Sequence, residues 1–162
     1  MSRVYVSDTN IWIDFRNAGL LDELFRLPIT LCCTDFVMNE LADFDHSALI
    51  RSGLVIEALD ASAMPQLLTL TAAHNNSSLA DVSCYFLAQA TGRPLLTGDG
   101  RLRKQALHDG LEVHGALWLL DALVVHKVIQ TARAALALED MLSRSARLPH
   151  AACQARLSRW KP

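Results

Sequence analysis

Along this chain of 162 residues, short apolar runs alternate with segments in which apolar residues recur every three or four positions. The short runs are continuous rather than interleaved with polar residues, which is typical of strands buried on both faces of a parallel sheet. They predict strands over residues 3–7, 29–34, 54–59, 95–97 and 111–114. The alternation favours an α/β fold in which helices cover both faces of a central parallel sheet.

The segments between the predicted strands carry the polar caps, glycines and prolines at which helices start and stop. A helix that stops at Gly19 begins after Asp8, and Thr34 or Asp35 can cap the helix that follows the second strand. Further helices are predicted over residues 20–26, 48–52, 61–74, 79–91 and 101–108, with a polar turn at 75–78. From residue 116 to about 159 the pattern predicts two or three helices, broken near Leu148-Pro149.

Length and composition indicate one globular domain over residues 1–162, with a helical C-terminal part from about residue 116. Hydrophobic residues make up 51% of the chain and charged residues 20%, without a low-complexity run. Neither a signal peptide nor an apolar membrane span is evident. The four cysteines lack C-x-x-C spacing, which favours free thiols in a cytoplasmic protein. The predicted architecture is a three-layer α/β/α sandwich of the Rossmann-like type.

The net charge of −2 hides an uneven distribution. Residues 1–140 carry 10 basic and 17 acidic side chains, whereas residues 141–162 carry five basic side chains and no acidic one. An acidic body with a basic end is compatible with a negatively charged polymer that contacts one surface. A solvated C-terminal helix explains the same distribution, so the charge pattern alone does not select a function.

Four acidic residues occupy positions near the carboxyl ends of the predicted strands, where an open parallel sheet binds ligands. Asp8 directly follows the first strand, and Asp99 follows the fourth. Glu40 lies in the first two turns of the helix after the second strand, and Asp81 lies in the first turn after a cap at Ser78. If the strands before Asp8 and Asp99 are neighbours, all four carboxylates converge on one edge of the sheet.

Four carboxylates in one cleft repel each other, and each raises the pKa of the others. A divalent cation relieves this repulsion, and ligands that are all oxygen atoms suit Mg²⁺ or Mn²⁺ better than Zn²⁺. Such a cation can polarise a phosphate and activate a water molecule as the nucleophile, so no side-chain nucleophile is needed. The sequence therefore predicts a magnesium or manganese site suited to phosphodiester hydrolysis.

Each acid also has a purely structural explanation. Asp8 can be the N-cap of the first helix, and Asp99 can belong to an ordinary Asp-Gly turn. Glu40 can be a solvated helix residue, and Asp81 can interact with the positive N-terminal end of its helix. The joint placement of the four acids in a chain of alternating strands and helices favours the functional interpretation.

At these residues the sequence resembles the PIN-domain family, small nucleases best known as toxins of bacterial toxin–antitoxin pairs. VYVSDTNIWIDF is similar to the family's first strand with its metal-binding aspartate, here Asp8, and TDFVMNEL is similar to the segment with the family glutamate, here Glu40. SLADVSCYFLAQATGRPLLTGDGRLRKQAL resembles the stretch with the third and fourth acids, Asp81 and Asp99. LEVHGALWLL is similar to the strand and helix that follow it, and the resemblance covers residues 4–15, 29–44 and 79–120.

The resemblance implies an endoribonuclease that depends on Mg²⁺ or Mn²⁺. Its catalytic and metal-binding residues would be Asp8, Glu40, Asp81 and Asp99. A second set would hold a carboxylate or a metal-bound water in place, and consists of Thr9, Asn10 and Thr97. The resemblance also implies a homodimer and an antitoxin protein that blocks the site when bound.

Other charged and aromatic residues have weaker assignments. Three basic residues on the helix after Asp99 can bind the phosphates of RNA or form a solvated basic face, namely Arg101, Arg103 and Lys104. Asp14 is expected to be a surface or capping acid, and Trp12 and Trp118 are expected in the core or in a dimer contact. No strip of interleaved aromatic and basic residues is evident, so substrate choice is expected to depend on backbone and shape.

The C-terminal arginines form a separate group. They can contact RNA or an acidic antitoxin, and solvated side chains are the default expectation for Arg144, Arg147, Arg156 and Arg159.

Two other function classes are compatible with parts of the pattern. A non-catalytic RNA-binding or scaffold protein of the same fold would bind RNA without turnover at any metal concentration. A receiver domain or a haloacid-dehalogenase-type phosphatase also places acids at strand ends. The receiver needs a lysine after its last core strand, where this chain has Gly115-Ala116-Leu117. The phosphatase signature D-x-D-x-T is absent, because Asp8 is followed by Thr9-Asn10.

Overall fold

A computed structural model describes residues 3–73 and 77–162, and five parallel strands form the central sheet of this part of the chain. The strands are β1 (Val4–Ser7), β2 (Thr30–Thr34), β3 (Val55–Glu57), β4 (Leu95–Leu96) and β5 (Val113–His114). Their order across the sheet is β3-β2-β1-β4-β5. The predicted α/β fold with a parallel sheet is confirmed.

The register of the strands fixes where their carboxyl ends lie. Ser7 of β1 is level with Leu96 of β4, and Leu96 is level with His114 of β5. The chain builds the sheet outwards from β1, first towards β3 and then towards β5, so the direction of winding reverses between β1 and β4. A crevice between the loops that leave such a pair of strands is the usual ligand site of open α/β sheets. Asp8 and residues 97–99 lie at this crevice.

Helices flank the sheet and connect the strands. They are α1 (Thr9–Asn17), α2 (Leu21–Leu24), α3 (Asp35–Glu40), α4 (His46–Ser52), α5 (Met64–Ala73), α6 (Leu79–Thr91), α7 (Gly100–His108), α8 (Ala116–Val125), α9 (Thr131–Ser143) and α10 (His150–Trp160). A short 3-10 turn, Ala61–Ala63, precedes α5. No helix among the described residues is long and apolar enough to cross a lipid bilayer.

The buried core joins the sheet to helices from distant parts of the chain. α6 packs against β1, β2 and β4, while α8 packs against β5 and α9. α9 also contacts α1, and α10 packs on α9. Trp12, predicted in the core, is fully buried there. The C-terminal helices therefore complete the wall of the domain beside α1, next to the carboxyl edge of the sheet.

Most predicted elements have the predicted extent within one or two residues, and the differences lie at their ends. The helix predicted over 61–74 begins as the 3-10 turn and is helical up to Ala73, whereas residues 74–76 lie outside the described residues. The C-terminal part forms three helices. The predicted break precedes α10, and a second break follows α8, where Lys127 adopts a φ of 58°.

Candidate functional site

Asp8 follows the last residue of β1 and is buried, with 1% of its surface exposed. Its Oδ1 atom accepts a hydrogen bond from the backbone N–H of Ile11 at 3.1 Å, so Asp8 does cap α1. Its Oδ2 atom accepts hydrogen bonds from the hydroxyl of Thr97 at 2.7 Å and the backbone N–H of Gly98 at 2.9 Å. Burial raises the pKa of Asp8, the three hydrogen bonds oppose this rise, and the charge of Asp99 adds to it.

Asp99 lies on the neighbouring loop and starts α7 rather than a simple turn. Its Oδ1 atom accepts hydrogen bonds from the backbone N–H groups of Arg101 at 2.9 Å and Leu102 at 3.1 Å. Its Oδ2 atom accepts a hydrogen bond from the hydroxyl of Ser77 at 2.6 Å. Ser77 is not among the predicted site residues, because a serine in a polar turn carries no sign of a distant partner. Asp99 is thus held from two separate segments of the chain.

Glu40 is the last residue of α3 and is exposed at the same edge of the sheet. Its Oε1 atom accepts a hydrogen bond from the hydroxyl of Thr9 at 2.6 Å. Thr9 is the residue directly after Asp8 and is buried, with 7% of its surface exposed. A side chain next to the first acid therefore positions the second one, which is the kind of contact that the sequence analysis expected of Thr9.

Asp81 lies in the first turn of α6, where the Ser78 hydroxyl accepts its backbone N–H at 3.0 Å. It is 9% exposed, and burial raises the pKa of Asp81 to about 7. The charges of Asp8, Asp99 and Glu40 add to this rise, in that order. The four predicted acids therefore interact electrostatically at Asp81, although they come from four distant segments of the chain.

A fifth acid, Asp14, faces the same site from α1. It is half-buried, and burial followed by the charge of Asp8 raises the pKa of Asp14 to about 6. Asp14 was expected to be a surface or capping acid rather than a metal ligand, and the structure places it half-buried within electrostatic reach of Asp8. Asn10 and Asp14 are four residues apart and lie on one face of α1, so the helical period could have placed both of them beside Asp8.

The donor set fits a hard divalent cation in its chemistry and charge. The acids offer only carboxylate oxygens, which Mg²⁺ and Mn²⁺ prefer. The raised pKa of Asp81 reflects an environment that disfavours a further negative charge, and a bound cation would relieve the repulsion. Within residues 3–73 and 77–162, no three His, Cys, Asp or Glu side chains already stand together as a group able to hold a metal. Asp8 and Asp99 use their oxygens for hydrogen bonds with the chain itself.

Asp14, Asp81 and Asp99 line a cleft of about 1190 Å³, whereas Asp8 and Glu40 are not among its lining residues. Asn10, Asp14, Asp81 and Asp99 contribute to the acidic end. The three basic residues predicted on the helix after Asp99 all line the cleft and are exposed, namely Arg101, Arg103 and Lys104. Thr97 lines the floor and is buried, with 3% of its surface exposed. The cleft therefore joins a carboxylate cluster to a basic rim.

The loop between α9 and α10 and the start of α10 also line the cleft. Ala146, Arg147, Leu148 and Pro149 line it, and the side chain of Arg147 is exposed. Arg156 also lines the cleft but is engaged by Asp121, whose carboxylate accepts its hydrogen bonds at 2.9 and 2.6 Å. Of the C-terminal arginines, Arg147 is thus the one that offers a charge to the cleft without an ion pair in the described structure.

Comparisons with known proteins support the fold and the family. The family model DUF3368, described as a PIN domain, matches residues 4–162. A solved structure of a PilT N-terminus domain protein from the hyperthermophilic archaeon Sulfolobus solfataricus P2 superimposes with a TM-score of 0.52. The two chains are 13% identical, and the match covers 75% of this chain and 93% of the archaeal one. At that identity the likeness concerns the fold alone. No curated protein sequence matches the chain.

Proposed function

Because the chain belongs to the PIN-domain family, whose members are generally nucleases, we propose that it is a Mg²⁺- or Mn²⁺-dependent endoribonuclease that hydrolyses phosphodiester bonds of RNA. The observation that carries the proposal is the electrostatic coupling of Asp81 to Asp8, Asp99 and Glu40 at the carboxyl edge of the sheet. Repulsion between the ionised acids destabilises the metal-free site. This is expected of a site whose ligands bind a cation.

The residues around the proposed cation divide into two roles. Asp8, Glu40, Asp81 and Asp99 would hold the cation through their carboxylate oxygens. When bound, Mg²⁺ or Mn²⁺ would supply Lewis-acid polarisation of the scissile phosphate and a more acidic water. Thr97 orients the carboxylate of Asp8, Thr9 orients that of Glu40, and Ser77 orients that of Asp99.

The basic rim supplies the second part of the proposal, which is binding of the RNA backbone. Arg101, Arg103 and Lys104 are exposed beside Asp99, and none of them forms an ion pair in the described part of the chain. Unpaired basic side chains in the same cleft as the acids favour binding of a phosphodiester backbone that contacts both the basic and the acidic residues. The acids alone would repel the backbone. Asn10 also lines the cleft and would contact the scissile phosphate or a water beside it.

We also propose that the protein acts in the cytoplasm as the toxin of a type II toxin–antitoxin system and forms a homodimer. The family resemblance supports this role, and the four free, buried cysteines fit a reducing compartment. A cleft with a basic rim is open to an acidic segment of an antitoxin that would block it. Co-expression with the product of a short neighbouring reading frame, followed by size-exclusion chromatography, tests the complex and the dimer. A monomer that restricts growth without being neutralised would contradict both.

The nuclease activity is tested by cleavage of a fluorophore–quencher RNA in Mn²⁺ and in chelator. We expect the wild type to cleave only with metal, and Asp8→Asn and Asp81→Asn to lose cleavage. Asp43→Asn is the matched control, because Asp43 is an exposed acid whose carboxylate pairs with Arg16 at 2.8 Å, away from the cleft. Undiminished cleavage by Asp8→Asn, or equal loss in the control, would overturn the assignment.

The second candidate function is a non-catalytic RNA-binding protein of the same fold. One observation favours it, namely that within the described residues the acids are not already grouped as a metal site. It predicts that the wild type binds RNA and does not cleave it at any concentration of Mg²⁺ or Mn²⁺. The cleavage assay, read together with an RNA-binding titration, separates the two candidates.

A further inference from the structure

Two aromatic side chains meet in the wall of the cleft. His114, the last residue of β5, and Trp118, in the first turn of α8, have ring centroids 4.1 Å apart and ring planes inclined by 15°. Both residues line the cleft, and both are half-buried. Trp118 differs in this from the other tryptophans, since Trp12 and Trp160 are 0% and 4% exposed. Part of the Trp118 side chain is therefore exposed to the cleft rather than packed in the core.

The two rings are held from below by the sheet. The buried Tyr5 of β1 stacks on Trp118 with centroids 5.4 Å apart. The Nε2 atom of His114 lies 2.8 Å from a carboxylate oxygen of Glu112, and Arg3 donates to the same carboxylate at 3.0 and 3.3 Å. Rings fixed in this way lose little side-chain entropy when a base stacks on them, because their rotamers are already restricted.

Basic side chains that could bind the phosphates of a nucleic-acid strand surround the ring pair. Arg103 lies close to the loop after His114, as a Cβ placed on Gly115 would be 3.5 Å from its Nη1 atom. Arg101 and Lys104 line the same cleft from α7, and Arg147 lines it from the loop between α9 and α10. Asp99 stands at the acidic end of this cleft. Aromatic faces beside unpaired cations bind single strands, because bases stack on the rings while the phosphates meet the charges.

We infer that Trp118 and His114 form a stacking site for one unpaired base of a single-stranded RNA, adjacent to the phosphodiester that is cleaved. The inference rests on the proposed function, because the RNA lies in the same cleft. Trp118 was expected in the core or in a dimer contact, and no strip of interleaved aromatic and basic residues is evident in the sequence. The structure assembles such a surface from residues of β5, α7, α8 and the α9–α10 loop.

A stacking site of this kind selects an unpaired RNA segment as the substrate rather than a duplex. In a helical duplex both faces of each internal base are already covered by its neighbours, so no base can stack on a fixed protein ring without leaving the helix. Stacking is tolerant of base identity, since every base has a π face. Trp118 and His114 would therefore select for strandedness and set the position of the strand relative to Asp99.

The first experiment measures binding without turnover. Hexauridylate and hexaadenylate are titrated in chelator, with tryptophan emission and the anisotropy of a labelled copy recorded together. We expect both oligonucleotides to lower the emission of the wild type and of Trp160→Phe, a control that changes a buried tryptophan outside the cleft. Trp118→Phe should lose this emission change. Trp118→Leu should bind about 5- to 150-fold more weakly, which corresponds to the roughly 1–3 kcal/mol of one stacked base.

An abasic nucleotide placed at each position in turn identifies the stacked base. In the wild type one position should weaken binding more than the others, and in Trp118→Leu that position should have no special effect. Trp118→Phe retains a ring and should keep the position effect. If Trp118→Leu proves unstable in a thermal melt, this variant is the test, and loss of the position effect in Trp118→Phe would overturn the inference. Equal binding by Trp118→Leu, or an equal emission change with a blunt RNA duplex, would overturn the inference.

The outcomes for the stacking site and for the nuclease are separable. If the wild type cleaves hexauridylate in Mn²⁺ and Trp118→Leu binds and cleaves it equally well, the stacking site is refuted and the nuclease stands. If the position effect is present but no RNA is cleaved at any metal concentration, the stacking site stands and the nuclease is refuted. If neither oligonucleotide binds but the wild type still cleaves RNA in Mn²⁺, the stacking site is refuted and the nuclease stands; if RNA is neither bound nor cleaved in Mn²⁺, both are refuted.

Discussion

The hydroxyl of Thr97 donates a hydrogen bond of 2.7 Å to the Oδ2 atom of Asp8 across the boundary between β1 and β4. The hydroxyl oxygen of Thr97 in turn accepts a hydrogen bond from the backbone N–H of Asp99 at 3.0 Å. One buried hydroxyl thus connects the acid after β1 to the acid after β4, which lie 91 positions apart in the chain. The relative placement of the two acids depends on this hydroxyl as well as on the sheet.

Replacement of Thr97 by valine tests this dependence. The substitution keeps the shape of the side chain but leaves Oδ2 of Asp8 with only the Gly98 N–H as donor. We expect RNA cleavage to fall by about 10- to 100-fold, as for other residues that orient metal ligands. A lost buried hydrogen bond of about 1–3 kcal/mol should also lower the Tm by several degrees. Thr97→Ser keeps the hydroxyl and should retain most of the activity; equal loss in both variants would contradict the orienting role.

The contact between Thr9 and Glu40 allows a sharper test, because Glu40 is exposed. Thr9→Val removes the 2.6 Å hydrogen bond to the carboxylate and leaves Glu40 free to adopt other rotamers. We expect a loss of activity of about 10-fold or more at low Mn²⁺, partly restored at high Mn²⁺. The Tm should change by less than in Thr97→Val, since water can replace the lost donor at an exposed carboxylate. A metal titration of both variants, with Thr9→Ser as the control, checks this order.

The fold was predictable because the strong signals are local. Continuous apolar runs such as residues 29–34 are typical of strands covered on both faces, and caps such as Thr34 and Ser78 define where α3 and α6 begin. Placing Asp8 and Asp99 at strand ends followed from the same pattern. However, β1 and β4 are neighbours because of the way α6 and α8 pack on the sheet. The sequence pattern does not show this packing, so the convergence of the acids could be predicted only on the assumption that the two strands are adjacent.

Parts of the site could not be predicted, because they depend on contacts between distant segments. Ser77 reaches Asp99 across 22 positions, and Arg147 enters the cleft only because α10 packs back on α9. Trp118 carries the apolar character of a core residue, and its partial exposure depends on how β5 ends at the edge of the sheet. Asp14 is the exception, because its spacing of four residues from Asn10 on α1 could have predicted its place in the site.

The metal-free protein should lose stability as the pH rises. The pKa of Asp81 is raised to about 7 in the folded state, against about 3.9 for an unfolded aspartate. Between these values the folded state binds more protons than the unfolded state, so the free energy of unfolding falls with rising pH and levels off above about pH 7. Asp14, with a pKa raised to about 6, acts in the same direction over a narrower window.

Thermal melts in chelator from pH 5 to pH 8 measure this loss. One unit of pKa shift is worth about 1.4 kcal/mol, and about 1 kcal/mol changes the Tm of a chain of this size by roughly 2–4 °C. Asp81→Asn should therefore melt several degrees above the wild type at pH 8 and close to it at pH 5. Asp43→Asn, which removes an exposed acid held by Arg16, should show no such gain. A Tm of Asp81→Asn that stays at or below the wild type at pH 8 would show that the buried charge is not destabilising.

A divalent cation should reverse the same penalty. Mn²⁺ or Mg²⁺ that binds only the folded state stabilises it by about 2.7 kcal/mol at 100 times its Kd, which corresponds to a rise in Tm of roughly 5–10 °C. The rise should be larger at pH 8 than at pH 5.5, because at the lower pH the cation competes with the proton on Asp81. Asp8→Asn and Asp81→Asn should reduce the rise, whereas Asp43→Asn should leave it intact. NaCl at matched ionic strength controls for general screening, and an equal rise in NaCl would attribute the effect to salt rather than to a metal held by the acids.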